Sequence, residues 1–137
     1  MLVVEPDIQV ACGLITCGRK MLLQKRKHDM LRPGMWEHPG GKRERGETLE
    51  QTLRRELKEE LGVESEILSQ LGTCLLQFEV DAHITLFAVK IEGDPYPYEA
   101  EELKWLEPLD AVKHYPLVPS GYMFYRTVVR YFQRRAL

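Results

Sequence analysis

Between Gly40 and Val63 the chain reads GGKRERGETLEQTLRRELKEELGV, a stretch with six glutamates that ends them in the pair Glu59 and Glu60. Leu49, Leu53, Leu57 and Leu61 recur every four residues behind Thr48, and Gly62 closes the pattern. This predicts an amphipathic helix of about three and a half turns. On such a helix Glu56, Glu59 and Glu60 fall at neighbouring angles beside the leucine stripe, so the leucines enter a core while the carboxylates look across its edge. Like charges this close repel, and at a helix C-terminus they oppose the macrodipole by up to ~1 kcal/mol each. A hard divalent cation such as Mg²⁺ relieves the repulsion, because it takes oxygen ligands and bridges carboxylates to phosphates. A solvated face with ion pairs such as Arg55 to Glu59 relieves it too, and spacing alone leaves both readings open. Ahead of the helix, Gly40 and Gly41 let the backbone turn tightly or bring its amide and carbonyl groups close to a ligand.

The elements that must position these residues are partly legible. IQVACGLI from Ile8 to Ile15, a TCGRK turn and MLLQKR suggest a β-hairpin, with the preceding MLVVEPD also strand material. KHDMLRPGMWEHPGGKRERGE, rich in charge, proline and glycine, reads as a long loop of the kind that carries function. SEILSQLGTCLLQFEV and AHITLFAVKI read as two or three strands, followed by the loop EGDPYPYEAEE. LKWLEPLDAV gives a short strand and a helical turn, with Trp105 in the core. Tyr122 to Arg135 gives a terminal amphipathic helix. Helices before and after a mixed run of strands fit a sheet covered on both faces.

Composition bounds what such a site can serve. The 137 residues, 44% hydrophobic and 29% charged, fit one domain over residues 1–137. A net charge of -2, from 19 basic and 21 acidic side chains, lacks the positive field of a duplex-binding module. Cys12, Cys17 and Cys74 have no zinc-site spacing. No basic flank precedes the apolar N-terminal residues, and no apolar run nears the ~20 residues that span a bilayer. The expectation is a cytoplasmic enzyme or binding protein with no membrane partner.

Read from Gly41, the intervals are five residues to Glu47 and seven more to Arg55. Then come Glu56, Leu57, one residue, Glu59, Glu60, one residue, Gly62 and Val63. This resembles the box of the Nudix hydrolase family at every fixed position, and with WEHPGG ahead of it the chain is similar to the small MutT-like branch. The resemblance implies an α/β/α sandwich with a mixed β-sheet between helices. It implies Mg²⁺-dependent hydrolysis of nucleoside triphosphates to nucleoside monophosphate and pyrophosphate, with Mn²⁺ as a substitute ion. Glu56, Glu59 and Glu60 are then metal ligands joined by the backbone carbonyl of Gly40, Arg55 orients a neighbouring glutamate, and Glu47 stands behind the ligands. Glu99, six residues before Trp105, is implied as a further ligand or as the base, and the choice of base between Glu59 and Glu99 stays open. Lys25 matches a position at which relatives contact phosphate with arginine, and Gly41 belongs to the loop that approaches substrate. The implied partner is a small nucleotide, with no long nucleic acid, and the chain is expected as a monomer or weak homodimer.

Departures from the pattern concern the base. Relatives often carry phenylalanine after the Trp-Glu pair, packed near the base; here that residue is His38. YPLVPSG resembles the segment in which relatives acting on oxidised guanine nucleotides carry an asparagine. Ser120 and Gly121 stand there instead, which argues against specificity for 8-oxo-dGTP. Trp36, Tyr96, Tyr98, Phe124 and Tyr125 offer rings for stacking or for the core. The alternatives are a nucleoside diphosphate sugar or ADP-ribose hydrolase with the same metal box, an RNA 5′-end pyrophosphohydrolase, and a nucleotide-binding regulator without turnover.

Overall fold

In the computed structural model, which describes residues 8–77 and 81–136, β1 (Ile8–Cys17) and β6 (Asp81–Glu92) run parallel at the centre of a mixed sheet. The strand readings at 1–7 and 78–80 lie outside the described residues. Both central strands are apolar almost without alternation because both of their faces are covered. Ala11 and Ile15 of β1 and Phe87 and Val89 of β6 face one buried cluster; Cys12, Leu14, Ile84 and Leu86 face the other. β1 turns into β2 (Lys20–Lys25) as an antiparallel hairpin, and β5 (Glu64–Gln77) lies antiparallel to β6.

Two short strands come from the segment that reads as loop. β3 (Trp36–Glu37) pairs with β2, and β4 (Gly40–Lys42) pairs with β1. Strands of two and three residues are too short to carry a period, so their sequence shows only its glycines and prolines. β7 (Glu102–Leu106) completes the set on the outer side of β2, with Trp105 packed against the first of the two clusters.

The helix α1 (Leu49–Leu61) covers one face and fills it with Leu53, Leu57 and Leu61, all fully buried. Thr48 caps its N-terminus in a capping box with Gln51, and Gly62 ends it in the left-handed conformation at φ 70°. The other face carries α2 (Pro108–His114), α3 (Pro119–Met123) and α4 (Tyr125–Arg135). The expected terminal helix therefore starts earlier, at Pro119, and is interrupted at Phe124. A proline suits the first helical position, where its missing N–H costs nothing, so the residue that reads as a breaker is a start. The result is the α/β/α sandwich with a mixed sheet. No helix among the described residues is long and apolar enough to cross a membrane.

Leu57 sits with no exposed surface between α1 and the sheet. Leu57→Ala is expected to lower unfolding free energy by about 3 kcal/mol in a denaturant titration; a loss below ~1 kcal/mol would mean that the helix is not anchored by its leucine stripe.

Candidate functional site

Glu56 and Glu60 stand one turn apart on α1, and the loop after β6 brings Glu99 to them. One carboxylate oxygen from each lies within 4.8 Å of the others. Glu60 is only 8% exposed, and its Oε2 accepts a hydrogen bond from the Gly40 N–H at 3.1 Å. The carboxylate of Glu56 lies against the backbone of β4. A Cβ at Gly41 would sit 2.3 Å from the Glu56 carboxyl carbon, so only glycine leaves the carboxylate its seat. Burial raises the pKa of Glu56, and Arg55 works against that rise. Glu60 is pushed well above the usual carboxylate range by burial first, and then by the charge of Glu56.

Arg55 ties the loop to the helix. Its Nε and Nη2 reach the two oxygens of Glu47 at 2.7 and 3.0 Å, Nη1 reaches Glu56 Oε1 at 2.9 Å, and Nη2 also donates to the Lys42 carbonyl at 3.0 Å. The forked guanidinium suits this bidentate task in a way that lysine would not. In return Glu47 is held down at about 2, chiefly by its hydrogen bond from Arg55. Glu47 also accepts from the Thr52 hydroxyl and the Glu44 N–H. It anchors Arg55 and lies outside the carboxylate cluster.

Beside the cluster opens a cleft of about 520 Å³. Its walls include Val10, Leu76, Ile84 and Val118, with Arg26, Glu37, His38 and Ser120 as polar groups. Arg26 Nη1 pairs with Glu37 Oε1 at 2.8 Å, and Gln24 Nε2 donates to the other Glu37 oxygen at 3.1 Å. His38 is buried, which lowers its pKa to about 4, so the ring is neutral at physiological pH. Its Nδ1 has no hydrogen-bond partner among the described residues.

The sequence-expected residues divide accordingly. Gly40, Gly41, Glu56, Glu60, Glu99, His38 and Ser120 line the cleft. At Gly40 the group seen to engage a carboxylate is the amide. Glu59 has a side chain half exposed, 3.4 Å from Arg55, and falls outside both the cluster and the cleft wall. Lys25 also lies outside the wall, paired within the sheet to Trp36 and Glu102, while its neighbour Arg26 lines it. Gly121 is buried behind the cleft, in a smaller cavity shared with Trp36, His38 and Leu117. None of the five candidate stacking aromatics lines the cleft; Trp36 is instead packed edge-on against Tyr115 at 5.5 Å. Among the described residues the sequence reading passed over Glu37, and for the outer phosphates it set Lys25 ahead of its basic neighbours Arg26 and Lys27. The one signal for Glu37 and Arg26 was their place at the ends of paired strands, where Gln24 faces Glu37.

Three carboxylates without a nitrogen or sulfur ligand among them suit a hard divalent ion of the Mg²⁺ or Mn²⁺ type. The sequence model of the NUDIX domain matches residues 7–128. The chain is 35% identical over 117 residues to the CTP pyrophosphohydrolase of Escherichia coli (strain K12), spanning 82% of this chain and 84% of that one. It is 34% identical over 103 residues to the 8-oxo-dGTP diphosphatase of the same strain, spanning 72% and 79%. The solution structure of the E. coli ORF135 protein superposes with a TM-score of 0.81 at 30% identity, covering 90% of this chain and 89% of that one.

Because the folded pKa of Glu60 lies above the unfolded value, the ionised group costs stability at neutral pH. That cost is relieved as pH falls from the folded pKa toward the unfolded one. Glu60→Gln is therefore expected to raise the Tm of metal-free protein near pH 7 by ~3 °C, the scale of roughly 1 kcal/mol at this size. The gain should fade near pH 4.5, the ordinary value for a glutamate. An equal or lower Tm at pH 7 in scanning calorimetry would mean that neither burial nor the neighbouring carboxylates penalise the Glu60 charge.

Proposed function

The chain belongs to the Nudix family, and from that premise we propose that it is a divalent-metal-dependent hydrolase converting nucleoside triphosphates to nucleoside monophosphate and pyrophosphate. Its general activity is that of a Nudix hydrolase, cleavage of a phosphoric anhydride in a nucleotide. The choice of a triphosphate rests on likeness to relatives named for that activity, one acting on CTP and one on 8-oxo-dGTP. The observation that carries the proposal is the Glu56, Glu60 and Glu99 cluster opening onto a cleft that also presents Arg26.

In this reading Glu56, Glu60 and Glu99 hold the metal. When bound, such an ion neutralises phosphate charge and makes a coordinated water more acidic. Arg55 fixes Glu56 in its seat against Gly41, so the ligand set is held before substrate arrives. Glu59, paired with Arg55 on its solvent side, is left free of ligand duty, and the candidates to take the proton of the attacking water are Glu59 and Glu99. Arg26, oriented by Glu37, offers a fixed positive charge for the outer phosphates. The base lies between aliphatic walls, with the neutral imidazole of His38 and the hydroxyl of Ser120 as its polar contacts.

Product analysis with Mg²⁺ against dNTPs, NTPs, 8-oxo-dGTP, ADP-ribose and NDP-sugars tests the assignment. The expected products are pyrophosphate and NMP from one or more triphosphates. Sugar phosphate from an NDP-sugar with triphosphates inert would replace it by the diphosphate-sugar reading, and no metal-dependent product would leave a nucleotide-binding regulator. Glu59→Gln is expected to lower kcat at saturating Mg²⁺ by ~10²-fold with the fold intact; an unchanged kcat would remove Glu59 from the chemistry. His38→Phe is expected to reorder the preference among bases more than it changes the highest kcat, and an unaltered order would take His38 out of the base subsite.

A further inference from the structure

The residues DPYPY after β6 alternate proline with tyrosine immediately ahead of Glu99. Proline at 95 and 97 fixes two φ angles and steers the residues before them to extended backbone, so the segment has few conformations to lose. It is bonded to the end of α1. A helix C-terminus leaves carbonyls without partners; here the Leu61 carbonyl accepts from the Tyr96 N–H and the Glu60 carbonyl from the Tyr98 N–H, both at 3.0 Å. Glu60 thus carries a cluster carboxylate on its side chain and the anchor of the Glu99 loop on its backbone.

The ring of Tyr98 lies over Gly62. A Cβ at Gly62 would meet Tyr98 Cε2 at 2.6 Å, so the glycine that closes the box also leaves room for the ring. Tyr96 packs against Tyr98 with ring centroids 4.9 Å apart, although both residues are 61% exposed. On the far side the Glu101 N–H donates to the Lys25 carbonyl at 2.9 Å, just before β7 begins. Glu99 is therefore held between two backbone bonds, at Tyr98 and at Glu101. Its negative charge is brought to Glu56 and Glu60 against the repulsion of both.

We propose that Pro95 to Tyr98 form a strut that presents Glu99 to the metal cluster, with Tyr98 and Gly62 as positioning residues that set divalent-ion affinity. The proposal rests on the cluster being the metal site. Because Tyr98 is largely exposed, its removal leaves the fold in place and acts on the placement of Glu99. Pro95 to Tyr98 do not line the cleft, so the effect of the strut reads out in metal binding before substrate is added.

The test is Mn²⁺ affinity of the full chain, measured by electron paramagnetic resonance without nucleotide. Tyr98→Ala is expected to raise the Kd by ~10-fold, as loss of a group that orients a ligand does. Tyr98→Phe, which keeps the ring over Gly62, should retain the wild-type Kd. In a Glu99→Gln background Tyr98→Ala should add nothing further, because the two changes remove the same contribution. A wild-type Kd for Tyr98→Ala, or an equal loss with and without Glu99, overturns the strut and leaves the cluster standing. A wild-type Kd for Glu99→Gln removes Glu99 from the metal site, and the strut with it.

Discussion

The carboxylates of Glu56, Glu60 and Glu99 are held closer together than their charges favour, and the surrounding architecture is arranged to withstand that repulsion. Each has its own restraint. Arg55 holds one oxygen of Glu56, the Gly40 amide holds one of Glu60, and the loop backbone fixes Glu99 from both sides. A cluster left to open would gain free energy by spreading. Held shut, it presents converging oxygen atoms, which is what a small hard cation needs from a protein.

This restraint depends on the order of the strands. β4 lies against β1 in antiparallel register, with Gly40 opposite Cys12, so the double glycine is part of a sheet. That rigid seat is where Glu56 docks. The leucine stripe of α1 fixes the rotation of the helix against the same sheet, and rotation decides which glutamates point inward. Glu59 shows the limit of the wheel: it is three residues from Glu56, yet its side chain lies on the solvent side with Arg55 between it and the loop.

How much of this could be read from the sequence follows from the range of each interaction. α1, its Thr48 cap and its Gly62 stop depend on residues within a few positions of one another, and the helical period exposes them. Glu56 and Glu60 come with that helix. Glu99 joins them from a loop about forty residues on, and no local pattern records the approach; only likeness to the MutT-like branch, in the spacing to Trp105, pointed to it. The difference between Lys25 and Arg26 is one residue. Lys25 ends β2, held by Trp36 and Glu102 across the sheet, while Arg26 is the first residue past it, and those cross-strand partners far along the chain decide where the strand stops. The aromatics stayed open between stacking and core for a related reason, since composition cannot say that Trp36 packs against Tyr115.

The cleft is assembled from two layers that share almost no packing. The glutamates descend from α1, whose leucines belong to the cluster on one side of the sheet. His38, Val118 and Ser120 border the opposite cluster, built around Trp36, Leu117 and Phe124. The sheet is the partition between them. In the proposed reading a substitution at position 38 or along α3 can therefore change which base the cleft accepts while the leucine packing that aims Glu56 and Glu60 stays as it is.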